Sequence, residues 1–291
     1  MFRGAMVAII TPFKKGKVDE KKLAELVEMH IKNGTSAIVP CGTTGESATL
    51  SYEEHERVVE VVIEAAAGKT KVIAGTGSNN TAEAVMLTRD AKEKGADASL
   101  QITPYYNKPT QEGVYQHFKK ISSEVDIPLI LYNIQSRTGI NILPETIARL
   151  SKIKSIVGVK EASGNLEQMS KIRYLCDDDF DLISGDDALT LPLLSIGGTG
   201  VISVVSNIVP RDVSDMVEKF LKGDVEGARK LHYKLLPLIN AMFIETNPIP
   251  VKTSMALMGL IDEANLRLPM CNMSEGNLAI LKKALKDYGL L

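Results

Sequence analysis

Lys160 ends an apolar run, "SIVGVKEASGN" at 155–165, where a β-strand is expected to give way to a loop. A lysine carried into an apolar pocket loses proton affinity, because burial disfavours its charged form, and the neutral amine attacks a carbonyl to form a Schiff base. The plain alternative is a strand-end lysine that reaches water along its stem or pairs with Glu161. Tyr132 closes another run, "PLILYN", and a phenol beside an amine can exchange the protons that carbinolamine formation and dehydration require. Its plain alternative is a packed ring with the hydroxyl at the surface. "GTTGES", Gly42 to Ser47, offers two threonine hydroxyls and backbone N–H groups beside glycines. That set suits the carboxylate of a small keto acid, although a tight glycine turn with solvent-facing threonines has the same residues.

Such groups need a scaffold that gathers distant segments at one place. Short β-branched runs recur as "AMVAIIT", "SAIVPCG", "KVIAGTG", "ASLQIT", "PLILYN", "SIVGVKE", "DLISG" and "GVISV", starting near residues 5, 36, 71, 98, 128, 155, 181 and 200. Separations of about 20 to 35 residues suit strand-plus-helix units. Eight of them predict an α/β fold, the closed parallel (β/α)8 or TIM barrel. Each run is nearly all apolar, as strands covered on both faces are. Between them, Ser51 to Glu54 reads as a helix capping box, Asn80 to Glu83 imitates one, and Asp186 with Asp187 can cap the segment after "DLISG". From Arg211 helix follows helix, which predicts a barrel over 1–223 and a C-terminal helical appendage over 224–291. Reactive groups of such barrels collect where strands run into loops at the carboxyl-terminal mouth.

Composition narrows the chemistry. A chain of 291 residues, 44% hydrophobic and 24% charged, can bury a large core. Its formal net charge of -2 gives no electrostatic basis for binding nucleic acid or an anionic membrane. No apolar run nears the roughly 18 residues that span a bilayer. Cys41, Cys176 and Cys271 form neither a C-x-x-C pair nor an even framework, so no disulfide or zinc site is expected and a reducing, cytoplasmic setting fits. His30, His55, His117 and His232 lack ligand spacing, so no metal is expected. "GKT" at 68–70 lacks the upstream glycine of a phosphate loop, and "GTGSNN" lacks the third glycine of a dinucleotide fingerprint.

The strand ends together resemble one family, the pyruvate-dependent class I aldolases, in their dihydrodipicolinate synthase branch. The matching motifs are "GTTGES" at 42–47, "AGTG" at 74–77, "TPYYNKP" at 103–109, "YN" with "RTG" at 132–139, "GVKEASGN" at 158–165, "SGDD" at 184–187, "GVISV" at 200–204 and "ETNPIPVK" at 245–252. The resemblance spans essentially the whole chain. It implies that Lys160 forms a Schiff base with pyruvate, that Tyr132 is its acid/base partner, and that Thr43 and Tyr106 complete a hydroxyl relay. Thr44 and the backbone at Ile202 would hold the pyruvate carboxylate, with Gly185 in the substrate pocket. Tyr106 would come from an adjacent subunit, which implies an obligate dimer paired into a homotetramer. No cofactor is implied, since pyruvate is a substrate and the lysine is the electron sink.

Arg137 bears on the second substrate. A guanidinium that can grip a carboxylate with two hydrogen bonds suits L-aspartate 4-semialdehyde, whose condensation with pyruvate yields 4-hydroxy-tetrahydrodipicolinate in diaminopimelate and lysine biosynthesis. The alternatives are a sibling aldolase of sugar acids, N-acetylneuraminate or 2-keto-3-deoxygluconate, and a non-catalytic barrel that binds small acids. The family's lysine-binding regulatory pocket would fall on Ser47, Ala48, His55, Asn79, Glu83 and Tyr105. The plain reading of Glu83 is an acidic residue favoured at a helix start. Tyr52 departs from the histidine frequent in lysine-sensitive relatives. Gln135 and Ser136 depart from the usual residues before Arg137, and Gln101 stands where an apolar residue is usual. Facing inward, Gln101 needs a hydrogen-bond partner.

Overall fold

A computed structural model describes residues 2–291; Met1, with which the expected barrel segment begins, lies outside them. β1 (Gly4–Ala8) is followed by a hairpin of β2 (Phe13–Lys14) and β3 (Lys17–Val18), then α1 (Glu20–Lys32), β4 (Ala37–Val39), α2 (Tyr52–Ala66), β5 (Lys71–Gly75), α3 (Thr81–Lys94), β6 (Ala98–Ile102) and α4 (Gln111–Glu124). Next come β7 (Leu129–Asn133), α5 (Gln135–Thr138), α6 (Pro144–Leu150), β8 (Ile156–Glu161), α7 (Leu166–Leu175), β9 (Asp181–Ser184), α8 (Thr190–Ser195) and β10 (Gly200–Ser203). α9 (Pro210–Leu221), α10 (Val225–Met242), α11 (Ile249–Leu257) and α12 (Glu275–Tyr288) follow without a further strand among the described residues. The expected barrel closes in the order β1-β10-β9-β8-β7-β6-β5-β4. Every neighbouring pair in it is parallel. Among the strands, only those of the β2–β3 hairpin have no counterpart in the sequence reading, because two residues per strand leave no periodicity to see.

The two-residue alternation of a strand divides the core into an inside and an outside. Met6, Val39, Ile73, Leu100, Ile130, Tyr132, Ile183 and Ile202 form the cluster within the barrel. Leu129, Leu131, Val159 and Leu182 instead pack against the helix residues Val114, Phe118, Ile147 and Ile172. Past the barrel, Asp224 caps α10 by accepting from the Gly227 amide. Leu235, Leu238 and Met242 of α10, Val251 and Met255 of α11, and Leu281 and Leu285 of α12 share one core with Val7, Ile9 and Val58. That packing carries the chain between α10 and α11 across the barrel mouth. No helix among the described residues is long and apolar enough to cross a membrane.

Local signals are met where the partner lies close in sequence. Ser51 and Glu54 close the capping box on α2. Asn80 caps α3 through the Ala82 amide, but Glu83 completes no box, since its carboxylate accepts from the hydroxyls of Tyr52 and Ser78. Asp186 caps the turn after β9 through the Ala188 amide, whereas Asp187 accepts from the amides of Val204 and Val205. Gln101 faces the helix layer rather than the barrel interior. Its Nε2 lies 2.9 Å from Thr76 Oγ1, 2.8 Å from Thr88 Oγ1 and 2.7 Å from Ser99 Oγ. Thr76, at the end of a strand, is drawn into this buried hydroxyl cluster instead of the mouth. Gln101→Ala should destabilise the fold by about 1–3 kcal/mol, by loss of the shared donor and the space it fills. A urea midpoint equal to that of the unsubstituted chain would contradict this role.

Candidate active site

β7 and β8 pair in register so that Tyr132 lies level with Lys160, and Asn133 with Glu161. Val159 packs outward, so the pleat turns Lys160 inward and Glu161 outward. Lys160 is 6% exposed, and its Nζ stands 4.1 Å from the centre of the Tyr132 ring. Glu161 is engaged on the other face by Asn133 Nδ2 at 2.9 Å, the Ser163 amide at 2.8 Å and Gln168 Nε2 at 3.3 Å. Neither water nor Glu161 therefore accounts for the lysine.

Burial draws the Lys160 pKa from 10.5 down to about 7; the charge of Asp187 opposes this and that of Arg137 adds to it. The displacement corresponds to roughly 5 kcal/mol against the ammonium form. A large fraction of the amine is consequently neutral near pH 7. Burial also pushes the Tyr132 phenol up to about 12, against the charge of Arg137 and a hydrogen bond with Thr43. Tyr132 thus keeps its proton and stands ready to donate it. Gly185 leaves room for the lysine stem: a Cβ there would lie 2.7 Å from the Ala162 Cβ and 3.2 Å from Lys160 Cε.

The "GTTGES" loop folds into a tight turn, with the Gly45 amide donating to Gly42 O at 3.1 Å and the Glu46 amide to Thr43 O at 3.1 Å. Thr44 is buried rather than solvent-facing, and its Oγ1 accepts from Asn247 Nδ2 at 2.9 Å. The Asn247 carbonyl in turn accepts from Arg137 Nη2 at 3.2 Å. Arg137 itself is carried on α5, the single helical turn that contains Gln135 and Ser136. A small inner cleft is lined by Thr43, Thr44, Tyr132, Arg137, Lys160 and Gly185, together with Asn247 and Val204. It adjoins a cavity of about 610 Å³ that shares Thr43, Tyr132, Arg137 and Asn247. Ile202 is buried one strand position from the turn that Asp187 holds by the Val204 and Val205 amides.

The remaining expected residues separate into two groups. Ser47, Ala48, His55, Glu83 and Tyr105 line the larger cavity with Tyr52, while Asn79 stands beside it, its Nδ2 3.2 Å from Tyr105 O. Tyr106 is 90% exposed and lines neither cavity of its own chain. Among the described residues no group of histidine, cysteine and carboxylate side chains is arranged to hold a metal. Reading the residues by type passed over Asn247 and the anchoring use of Asp187. The motif "ETNPIPVK" was visible, but nothing in its spacing ties it to Thr44 or Arg137.

Comparison with known proteins agrees with this geometry. The profile of the Dihydrodipicolinate synthetase family matches residues 1–288. The 4-hydroxy-tetrahydrodipicolinate synthase of Endomicrobium trichonymphae is 60% identical over 292 residues, with all of both chains covered. That of Syntrophus aciditrophicus is 58% identical over 291 residues, again with complete coverage of both. The crystal structure of dihydrodipicolinate synthase from Aquifex aeolicus superimposes with a TM-score of 0.97 at 51% identity over 99% of each chain. A buried lysine–tyrosine pair in a parallel barrel, and likeness along its full length, place the chain in one family: it belongs to the dihydrodipicolinate synthetases.

Proposed function

We propose that the protein condenses pyruvate with L-aspartate 4-semialdehyde on Lys160 to give 4-hydroxy-tetrahydrodipicolinate. The observation that carries this reading is the buried Lys160 amine, with its pKa lowered to about 7 beside a Tyr132 phenol that keeps its proton. The neutral amine adds to the keto carbon of pyruvate, and the phenol protonates the departing hydroxyl so that water leaves and an imine remains. Loss of a methyl proton gives the enamine, whose carbon attacks the aldehyde. The second substrate's own amine then closes the ring and displaces Lys160, which returns free. The iminium is the electron sink, so the reaction requires no cofactor.

In this reading Thr44 and the backbone at Ile202 hold the pyruvate carboxylate, Gly185 borders the adduct, and Thr43 passes protons to and from Tyr132. Tyr106 completes the relay from a second copy of the chain, within a dimer paired into a tetramer; its near-complete exposure supports a role outside its own barrel. Arg137 takes the carboxylate of the semialdehyde. Its placement on the shared wall of the two cavities favours that substrate over a polyhydroxylated sugar acid. The enzyme works in the cytoplasm. Glu83, facing the larger cavity, suits the ammonium of a regulatory lysine.

Borohydride reduction in the presence of pyruvate should leave a pyruvyl adduct on Lys160, located by peptide mass mapping. No adduct, or one elsewhere, overturns the assignment. Because the amine is neutral above its pKa, the initial trapping rate should rise with pH through about 7 and level off above it; a rise centred near 10.5, the ordinary lysine value, contradicts its activation by burial. Arg137→Ala should lower kcat/KM for the semialdehyde roughly 10- to 100-fold, the range of a lost charge-assisted hydrogen bond. It should also move the trapping midpoint upward, since a positive neighbour that disfavours the ammonium is gone. Millimolar lysine should slow the steady-state reaction, and undiminished turnover excludes the regulatory reading.

A further inference from the structure

Two buried charges beside the site take no part in the steps above. Lys252 Nζ lies 2.6 Å from Glu46 Oε1, with the two side chains 0% and 2% exposed. Lys252 also donates to Thr11 O at 2.9 Å, and Glu46 Oε2 accepts the Arg267 amide at 3.0 Å. The Phe13 ring centre is 4.3 Å from Lys252 Nζ and 4.3 Å from the Arg267 guanidinium carbon. Arg267 is itself balanced by Glu54, through two contacts of 2.6 Å.

A sealed ion pair is a weak way to stabilise a fold, because desolvating both charges offsets most of their attraction. Its strength lies in geometry, since neither partner has another place to go. Glu46 belongs to the loop that carries Thr43 and Thr44, and its φ of 53° lies in the left-handed region, unfavourable for a residue with a Cβ. Its amide bonds to Thr43 O, and the preceding carbonyl, Gly45 O, accepts Thr11 Oγ1 at 2.7 Å. Lys252 lies in α11, just beyond Asn247, the residue that bonds Thr44 through its side chain and Arg137 through its carbonyl. Thr11 in the segment after β1, the 42–47 loop and the 247–252 segment thus form a closed circuit. The Glu46–Lys252 pair is one of its links.

We propose that Glu46 and Lys252 are positioning residues, which hold the 42–47 loop and the Asn247 segment together so that Thr43 meets Tyr132 and Thr44 meets the pyruvate carboxylate. The inference rests on the roles given to those threonines under the proposed condensation. Neither Glu46 nor Lys252 touches substrate. The pair acts through backbone and side-chain placement, and so its loss falls on the rate of adduct formation.

Three variants test this: Glu46→Gln, Lys252→Met, and the two combined, which leaves no unpaired buried charge. Amide hydrogen exchange of the 42–47 and 245–252 segments, measured without substrate, should quicken about tenfold or more in each variant while the remaining barrel keeps its protection. Borohydride trapping of pyruvate on Lys160 should slow about tenfold or more, as expected when reacting groups lose alignment. In the double variant the melting temperature should return close to that of the unsubstituted chain, while trapping stays slow. A double variant that recovers both its melting temperature and its trapping rate overturns the proposal, because the pair is then only a contact within the fold. Unchanged exchange in both segments overturns it too, whatever Lys160 does with pyruvate. Failure of the unsubstituted chain to trap pyruvate defeats the condensation instead, and the exchange measurement still decides the positioning.

Discussion

The removal of one lysine amine from water is the constraint on which the rest of the molecule depends. Lys160 pays for its place with roughly 5 kcal/mol against its charged form, and that penalty persists only while the barrel stays closed around it. Closure in turn requires the parallel pairing that sets Lys160 level with Tyr132 and brings neighbouring strands close. Gly158, one inward position earlier on β8, shows how tight this is: a Cβ there would lie 2.6 Å from Asp181 O.

Carboxylates near such an amine work against it, because a negative charge favours the ammonium. Glu161 is the next residue in the chain, yet the pleat sends it to the outer face, where Asn133, Ser163 and Gln168 satisfy it. Asp187 is the carboxylate whose charge does oppose the lowering of the lysine pKa. The amides of Val204 and Val205 and the hydroxyl of Ser203 engage it, so its charge is spread over donors that also shape the turn after β10. The same outer layer takes in Gln101 with the hydroxyls of Thr76, Thr88 and Ser99.

The helices after the barrel bear on the chemistry through the short segment that joins α10 to α11. Apolar packing of α10, α11 and α12 onto the barrel core holds that segment at the mouth. There Asn247 connects Thr44 with Arg137, one group from each of the two substrates' expected binding sites. Segments far apart in sequence meet only because the core beneath them is continuous.

The starts of all eight barrel strands could be read from the chain, because an apolar run bounded by turn residues is a local pattern. The Ser51 capping box could be read for the same reason, its partners being three residues apart. Lys160 and Tyr132 stood out as polar ends of apolar runs, which puts both at the mouth, whereas the pairing of β7 with β8 set them level with each other. Glu83 and Asp187 could not be assigned that way: each sits where a helix cap is expected, and each carboxylate turns to a partner from another element. Asn247 and Thr44 lie 203 positions apart, and Lys252 and Glu46 lie 206 apart. No periodicity reaches that far. The order of residues determined which strands and helices form and which side chains end at the mouth, since those depend on neighbours along the chain. Which of them are desolvated together, and which loops are tied to which, was decided by the closed barrel and the helices packed on it, since burial and long-range hydrogen bonds exist only once the whole chain has folded.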